Sequence, residues 1–173
     1  DQSSGKSSLV EHLCGIRFLP KGMKMATKKP CFITTINSHD ERYKVGTKEF
    51  LNIEEFANEI DTQNLNPSIE SIHVEIQGSD LQNSYFVDLP GLFQTTEDIE
   101  NDDHKFSKKI KSLTVKCLKE KNYIFIVVHP AISDPATSKA LSLVKKHTAL
   151  NNSLGTLTKT DMLVDKDAQY IRK

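Results

Sequence analysis

Asp1-Gln2-Ser3-Ser4-Gly5-Lys6-Ser7-Ser8 has the residue types and spacing of a phosphate-binding loop, G-x-x-x-x-G-K-S, lacking only a first glycine that would lie just before Asp1. In such a loop glycine lets the backbone fold around phosphate oxygens, and amides at the start of the following helix point at them. Lys6 would reach the β and γ phosphates and Ser7 would ligate magnesium, with Ser3, Ser4, Gly5 and Ser8 completing the cradle. The plainer alternative is a polar loop capping a helix, with Lys6 in water.

Two further motifs lie downstream. Asp88-Leu89-Pro90-Gly91 closes an apolar strand, so the Asp88 carboxylate emerges at the strand's C-terminal end, where α/β sheets bind ligands, and can hold magnesium through water. Gly91, without a β-carbon, can bring its amide close to a γ-phosphate. Thr158-Lys159-Thr160-Asp161 follows the last strand. A carboxylate at Asp161 accepts two hydrogen bonds from the N1 and N2 donors of guanine, a pair that adenine does not offer, so GTP is favoured over ATP. Lys159 would lay its aliphatic stem along the base, and Thr158 belongs to the same motif. Thr27, in Met25-Ala26-Thr27-Lys28-Lys29-Pro30, offers a hydroxyl that can complete the magnesium shell when a γ-phosphate is present.

The elements that must carry these residues follow from periodicity. Leu9, Val10, Leu13 and Ile16 form an apolar helical set ending near Gly15, after which Phe18 to Thr27 has the composition of a loop. Cys31 to Asn37 reads as a strand paired with a weaker one near Glu41 to Lys44. Ile53 to Ile60 reads as a helix capped by Asn52. Ser71 to Ile76 and Tyr85 to Leu89 read as adjacent antiparallel strands. A helix over Lys105 to Leu118 leads to a buried strand at Tyr123 to Val128. A helix over Pro135 to His147 precedes the strand Ser153 to Thr158, and another helix begins at Lys166. Strands alternating with helices predict an α/β fold, a mainly parallel sheet with helices on both faces.

Composition bounds the partners. The 173 residues suit one domain, and 23 basic against 23 acidic residues give no field that calls for nucleic acid. Cys14, Cys31 and Cys117 show no paired spacing with one another or with histidine, which argues against a zinc site or a disulfide framework and for a reducing compartment. The longest apolar run is far shorter than the roughly 20 residues that span a bilayer.

Together D-Q-S-S-G-K-S-S, F-L-P-K-G followed by T-K-K-P, D-L-P-G and T-K-T-D resemble the dynamin superfamily of large GTPases over essentially the whole chain. The helical insertion Asn52 to Ile60 and the stretch His129 to Asp134 fit the same resemblance, and F-L-P-K-G with Met25-Ala26-Thr27 looks nearest to the mitochondrial inner-membrane fusion branch. The resemblance implies a dynamin-type G domain with an antiparallel edge. It also implies GTP and Mg2+ as ligands, self-association through G domains and a helical stalk, and a lipid membrane engaged through other regions. A cytoplasmic or organelle-membrane location, and microtubule binding, belong to the same set of implications. By position Gln2 would orient the attacking water, while Ser3 and the carbonyl of Gly22 would hold a monovalent cation, Na+ or K+, in place of an arginine finger. Leu92 stands where small GTPases carry a water-orienting glutamine, and the arginines, Arg17, Arg42 and Arg172, lie outside the motifs. Lys24 and Pro135 depart from the family pattern, and Asp102 or Asp103 are candidate contacts across a G-domain pair.

The chain is expected to lack the strand before Asp1 and the last base-contacting loop, which would leave an unpaired slot in the sheet and make the isolated piece prone to aggregate. Two other readings remain open at this stage. One is a GTP-binding scaffold or antiviral assembly module with little turnover; the other is a phosphate-loop ATPase or kinase.

Overall fold

The computed structural model describes residues 3–20, 27–91, 102–147 and 150–163, with backbone alone for 102–104. Helix α1 (Lys6–Cys14) starts directly on Gly5, whose left-handed φ of 88° turns the chain into the helix with no side-chain cap on the first turn. It ends at Gly15, also left-handed at φ 71°, whose N–H bonds the carbonyls of Glu11 and His12. The apolar face expected from Leu9, Val10, Leu13 and Ile16 is only partly realised: Leu13 is half exposed, while Glu11 and Cys14 are buried. Glu11 can be buried because its Oε1 accepts the amides of Phe18 at 2.6 Å and Leu19 at 2.8 Å, which replace water.

The larger sheet has five strands in the order β3-β2-β4-β1-β5. Strand β1 (Cys31–Asn37) is parallel to β4 (Ile72–Gly78) and antiparallel to β5 (Ser84–Asp88). Strand β2 (Arg42–Val45) pairs antiparallel with both β4 and β3 (Lys48–Phe50). Two expected neighbours are therefore corrected. β1 does not pair with β2, because β4 lies between them, and β4 does not pair with β5, because β1 does. The mainly parallel sheet is corrected as well: this sheet has three antiparallel pairs and one parallel pair. Gly46-Thr47 closes the β2–β3 hairpin in two residues, which only an antiparallel pair allows, whereas the parallel β1–β4 pair needs a long crossover, supplied by residues 38–71.

Helix α2 (Ile53–Gln63) lies within that crossover. Asn52 caps it as expected, its side chain accepting the Glu54 amide at 2.7 Å. Phe56 and Ile60 are fully buried, and Phe56 meets the rings of Tyr43, Phe18 and Phe50 at 5.3, 5.6 and 6.4 Å. With Ile33, Val45, Val74 and Ile76 they form the main core.

Strands β6 (Phe125–Pro130) and β7 (Ser153–Thr158) form a separate parallel pair with no ladder to the first sheet among the described residues. Leu118 of α3 (Asp102–Leu118) and Leu143 and Val144 of α4 (Lys139–Lys146) pack with Val127. The expectation that Tyr123 to Val128 is a buried strand is corrected, since Ile124 and Ile126 are exposed, as are Leu154 and Leu157 of β7. The helix expected over Pro135 to His147 is two pieces. Ser138 is extended, ending a 3-10 turn at Pro135–Thr137 and capping α4 through the Leu141 amide. The helix expected from Lys166 lies outside the described residues.

Candidate functional site

Three oxygens from distant parts of the sequence meet at the C-terminal end of β5. Ser7 Oγ, in the first turn of α1, donates to Asp88 Oδ2 at 2.7 Å. Thr27 Oγ1 donates to the same carboxylate oxygen at 3.0 Å and lies 2.9 Å from Ser7 Oγ. Asp88 and Thr27 are buried, and register places Asp88 opposite Cys31, four residues after Thr27.

Burial pushes the Asp88 carboxyl above the ordinary aspartate range, against the opposing pull of the Lys6 charge and the Ser7 and Thr27 hydroxyls. Burial likewise pushes the Lys6 ammonium down, with Asp88 pulling it back up. A carboxylate held this far from water has strong use for a cation. Ser7 and Thr27 would hold a magnesium ion here, with Asp88 holding it through water. The donor set, two hydroxyls and one carboxylate, is the hard-oxygen chemistry magnesium prefers. The group fits.

The phosphate loop is held from the other side. Ser3 and Gly5 are both left-handed, at φ 53° and 88°. Ser4 is fully buried, and its carbonyl accepts Thr158 Oγ1 at 2.6 Å, a hydroxyl also 3.4 Å from the His129 carbonyl. A β-carbon on Gly5 would stand 3.3 Å from Thr158 Cγ2, which ties Gly5 to this position as well. Thr158 thus links the end of β7 to the loop. Just beyond it, Lys159 (φ 56°) and Asp161, in a 3-10 turn at Thr160–Met162, are exposed. The Ala131 amide bonds the Thr158 carbonyl at 2.8 Å, and His129 donates Nε2–H to the Ser133 carbonyl, leaving Nδ1 buried without a hydrogen-bond partner among the described residues.

A sequence profile of the dynamin family matches residues 1–159. The chain belongs to the dynamin family. It is 29% identical over 173 residues to Dynamin-1 of Rattus norvegicus, covering 94% of this chain and 20% of that protein. It is 35% identical over 184 residues to the interferon-induced GTP-binding protein Mx of Ctenopharyngodon idella, covering 96% of this chain and 29% of the relative. To the Dynamin of Drosophila melanogaster it is 28% identical over 173 residues, with shares of 94% and 20%. The chain therefore spans less than a third of the length of these curated relatives. Dynamins and an Mx protein do not support the mitochondrial branch.

One of these relatives is by its name a GTP-binding protein. Of the residues singled out from the sequence, the structure brings together Ser7, Thr27 and Asp88 directly, and Ser4, Gly5 and Thr158 beside them. Lys6 lies within electrostatic reach of Asp88. Ser8 is exposed on α1, and Gly91 is buried just past β5. Gln2, Gly22, Lys24 and Leu92 lie outside the described residues, as do the side chains of Asp102 and Asp103. Sequence reasoning missed two residues, Glu11 and Asn64. Asn64, buried just past α2, accepts the amides of Lys28 at 2.8 Å and Lys29 at 3.1 Å on its Oδ1. A polar residue inside an apolar helical set, and an asparagine following a helix, were the signals available, but neither names its partner.

Proposed function

We propose that this domain binds GTP with magnesium and hydrolyses it by direct attack of water on the γ-phosphate, as the motor of a larger protein that couples turnover to self-assembly and membrane remodelling, by fission or fusion. The convergence of Ser7, Thr27 and Asp88 on one point carries the reading, since a polar loop capping a helix would need no buried carboxylate from β5. Magnesium, when bound by these three residues, supplies charge neutralisation at the β and γ phosphates. Lys6 neutralises the same phosphates, and the uncapped first turn of α1 offers amides to them. Thr27 and Gly91 sense the γ-phosphate, and Asp161 selects guanine from its exposed turn. Gln2 orients the attacking water, and Ser3 with Gly22 holds a monovalent cation. Self-association through paired G domains orders these groups, with Asp102 or Asp103 at the pair.

Resemblance to an interferon-induced GTP-binding protein, at 35% identity, favours a second reading in which the same site binds GTP for assembly with little turnover. Multiple-turnover hydrolysis by the whole protein, with and without lipid vesicles, separates the two. Ser7→Ala and Asp88→Asn are each expected to cut kcat by about a hundredfold or more, the scale of removing one preorganised charge-stabilising group. Asp161→Asn should shift preference from GTP towards xanthosine triphosphate. Undiminished hydrolysis in Ser7→Ala, or an unchanged base preference in Asp161→Asn, would sink the reading of the corresponding motif.

A further inference from the structure

Thr27 is three residues from β1, and those three are held by a segment that the family motifs do not include. Asn64 is 4% exposed. Its own amide bonds the carbonyls of Ile60 at 2.9 Å and Asp61 at 3.2 Å, so its backbone is fixed by the last turn of α2. That helix is in turn pinned to the core by Phe56 and Ile60, both with no exposed surface. From this support the Asn64 carboxamide oxygen takes two consecutive amides, those of Lys28 and Lys29. Ser68 N–H then bonds the Lys28 carbonyl at 3.3 Å, Lys28 Nζ reaches the Leu65 carbonyl at 2.9 Å, and the Pro30 carbonyl takes the Ile72 amide at 2.8 Å.

The Lys28 amide belongs to the planar peptide group that begins at the Thr27 carbonyl. Fixing its N–H direction fixes the orientation of the whole Thr27–Lys28 plane, and with it the point from which the Thr27 side chain leaves. We infer that Asn64 is a positioning residue for Thr27: by clamping the amides of Lys28 and Lys29 it holds the Thr27 hydroxyl at the Ser7–Asp88 pair. This rests on the GTPase reading above and adds to it a rigid path, from the core through α2 to the metal-binding hydroxyl.

Only the oxygen of the carboxamide makes these two bonds, which gives a sharp test. Aspartate keeps both the shape and the acceptor; leucine keeps the shape and removes the acceptor. In the whole protein, Asn64→Leu is expected to lower kcat for GTP by about tenfold to a hundredfold and to raise the half-saturating magnesium concentration by about tenfold, as two buried amides lose their acceptor. Affinity for fluorescent GDP, which does not require Thr27, should stay within about threefold and reports an intact site. Asn64→Asp should restore all three quantities to within about threefold of the unmodified protein. Lys28→Met, which removes only the bond to the Leu65 carbonyl, should change none of them. Should Asn64→Leu fail to bind fluorescent GDP, Asn64→Ser carries the same comparison, because its shorter side chain cannot span both amides. Native turnover and magnesium dependence in the acceptor-free variant, equal loss in Asn64→Asp, or the same loss in Lys28→Met overturns the inference alone. Absence of magnesium-dependent GTP hydrolysis in the unmodified protein overturns the functional reading and this inference together.

Discussion

Replacing Gly5 by alanine isolates two costs that the structure states separately. The first is conformational: at φ 88° an L-residue is strained, by about 1–2 kcal/mol. The second is steric. The new β-carbon would lie 3.3 Å from Thr158 Cγ2, 3.4 Å from its Cβ and 3.5 Å from its Oγ1, and Thr158 cannot retreat freely because its hydroxyl is bonded to the Ser4 carbonyl at 2.6 Å. Overpacking of this kind costs about 1–2 kcal/mol. The sum, about 2–4 kcal/mol, corresponds to a loss of roughly 30- to 700-fold in nucleotide affinity if the strain is relieved by turning the loop away from the phosphates. Thr158→Ser removes only the methyl and keeps the hydroxyl, so it should relieve the steric part and leave the conformational part. Titration of fluorescent GDP against the four proteins of this double-mutant cycle reads the two parts, with an expected favourable coupling of about 0.5–1.5 kcal/mol between the substitutions. Strict additivity would show that the Gly5–Thr158 approach costs nothing, and near-native affinity in Gly5→Ala would show that the left-handed turn is not required.

Two further outcomes follow from burial. Asp88 has its folded-state pKa raised, so in the metal-free domain its contribution to stability is present at low pH and lost as pH rises from the unfolded value through the folded one. On the proposed function a proton on Asp88 would weaken its hold on magnesium, so magnesium affinity measured through nucleotide binding should begin to fall, on acidification, at a higher pH than an ordinary aspartate would give. Unchanged affinity down to the ordinary aspartate range contradicts this. The cysteines give an independent check on the core. Burial and the nearby Glu11 push the Cys14 thiol up to about 11, and burial beside Asp88 pushes Cys31 higher still, so neither should react with a thiol reagent at neutral pH until the domain unfolds. Labelling of both in the native state at the rate of a free thiol would contradict their placement.

What could be read in the sequence was what is local. Lys6 and Ser7 after Gly5, Asp88 at the end of its strand, and the Asn52 cap each rest on neighbours within a few positions, and each lies where the pattern put it. Strand neighbours were misread because pairing is decided by which distant strand returns to the gap: β4 arrives from beyond α2 to separate β1 from β2, and nothing between residues 31 and 45 signals it. A continuous apolar run likewise suggests that Ile124 and Ile126 lie inside, although they are exposed among the described residues. Glu11 and Asn64 escaped notice for a related reason. Their work is to accept main-chain amides, and an amide is present at nearly every position, so composition offers no mark of which ones are taken.

The division into two sheets has a thermodynamic side. On the proposed function, phosphates and metal fall to residues of α1, β5 and the approach to β1 and guanine to the turn after β7, and no ladder spans the two sheets among the described residues. A nucleotide seated at both places is a cross-brace. Ligand present at a hundredfold its dissociation constant adds about 2.7 kcal/mol to the bound form, and that increment is available only while both sheets stay folded and in register with each other. Opening either one alone forfeits it all. Nucleotide occupancy therefore sets how far the two sheets melt as one cooperative unit, with the Thr158–Ser4 hydrogen bond as the protein's own smaller version of the same link.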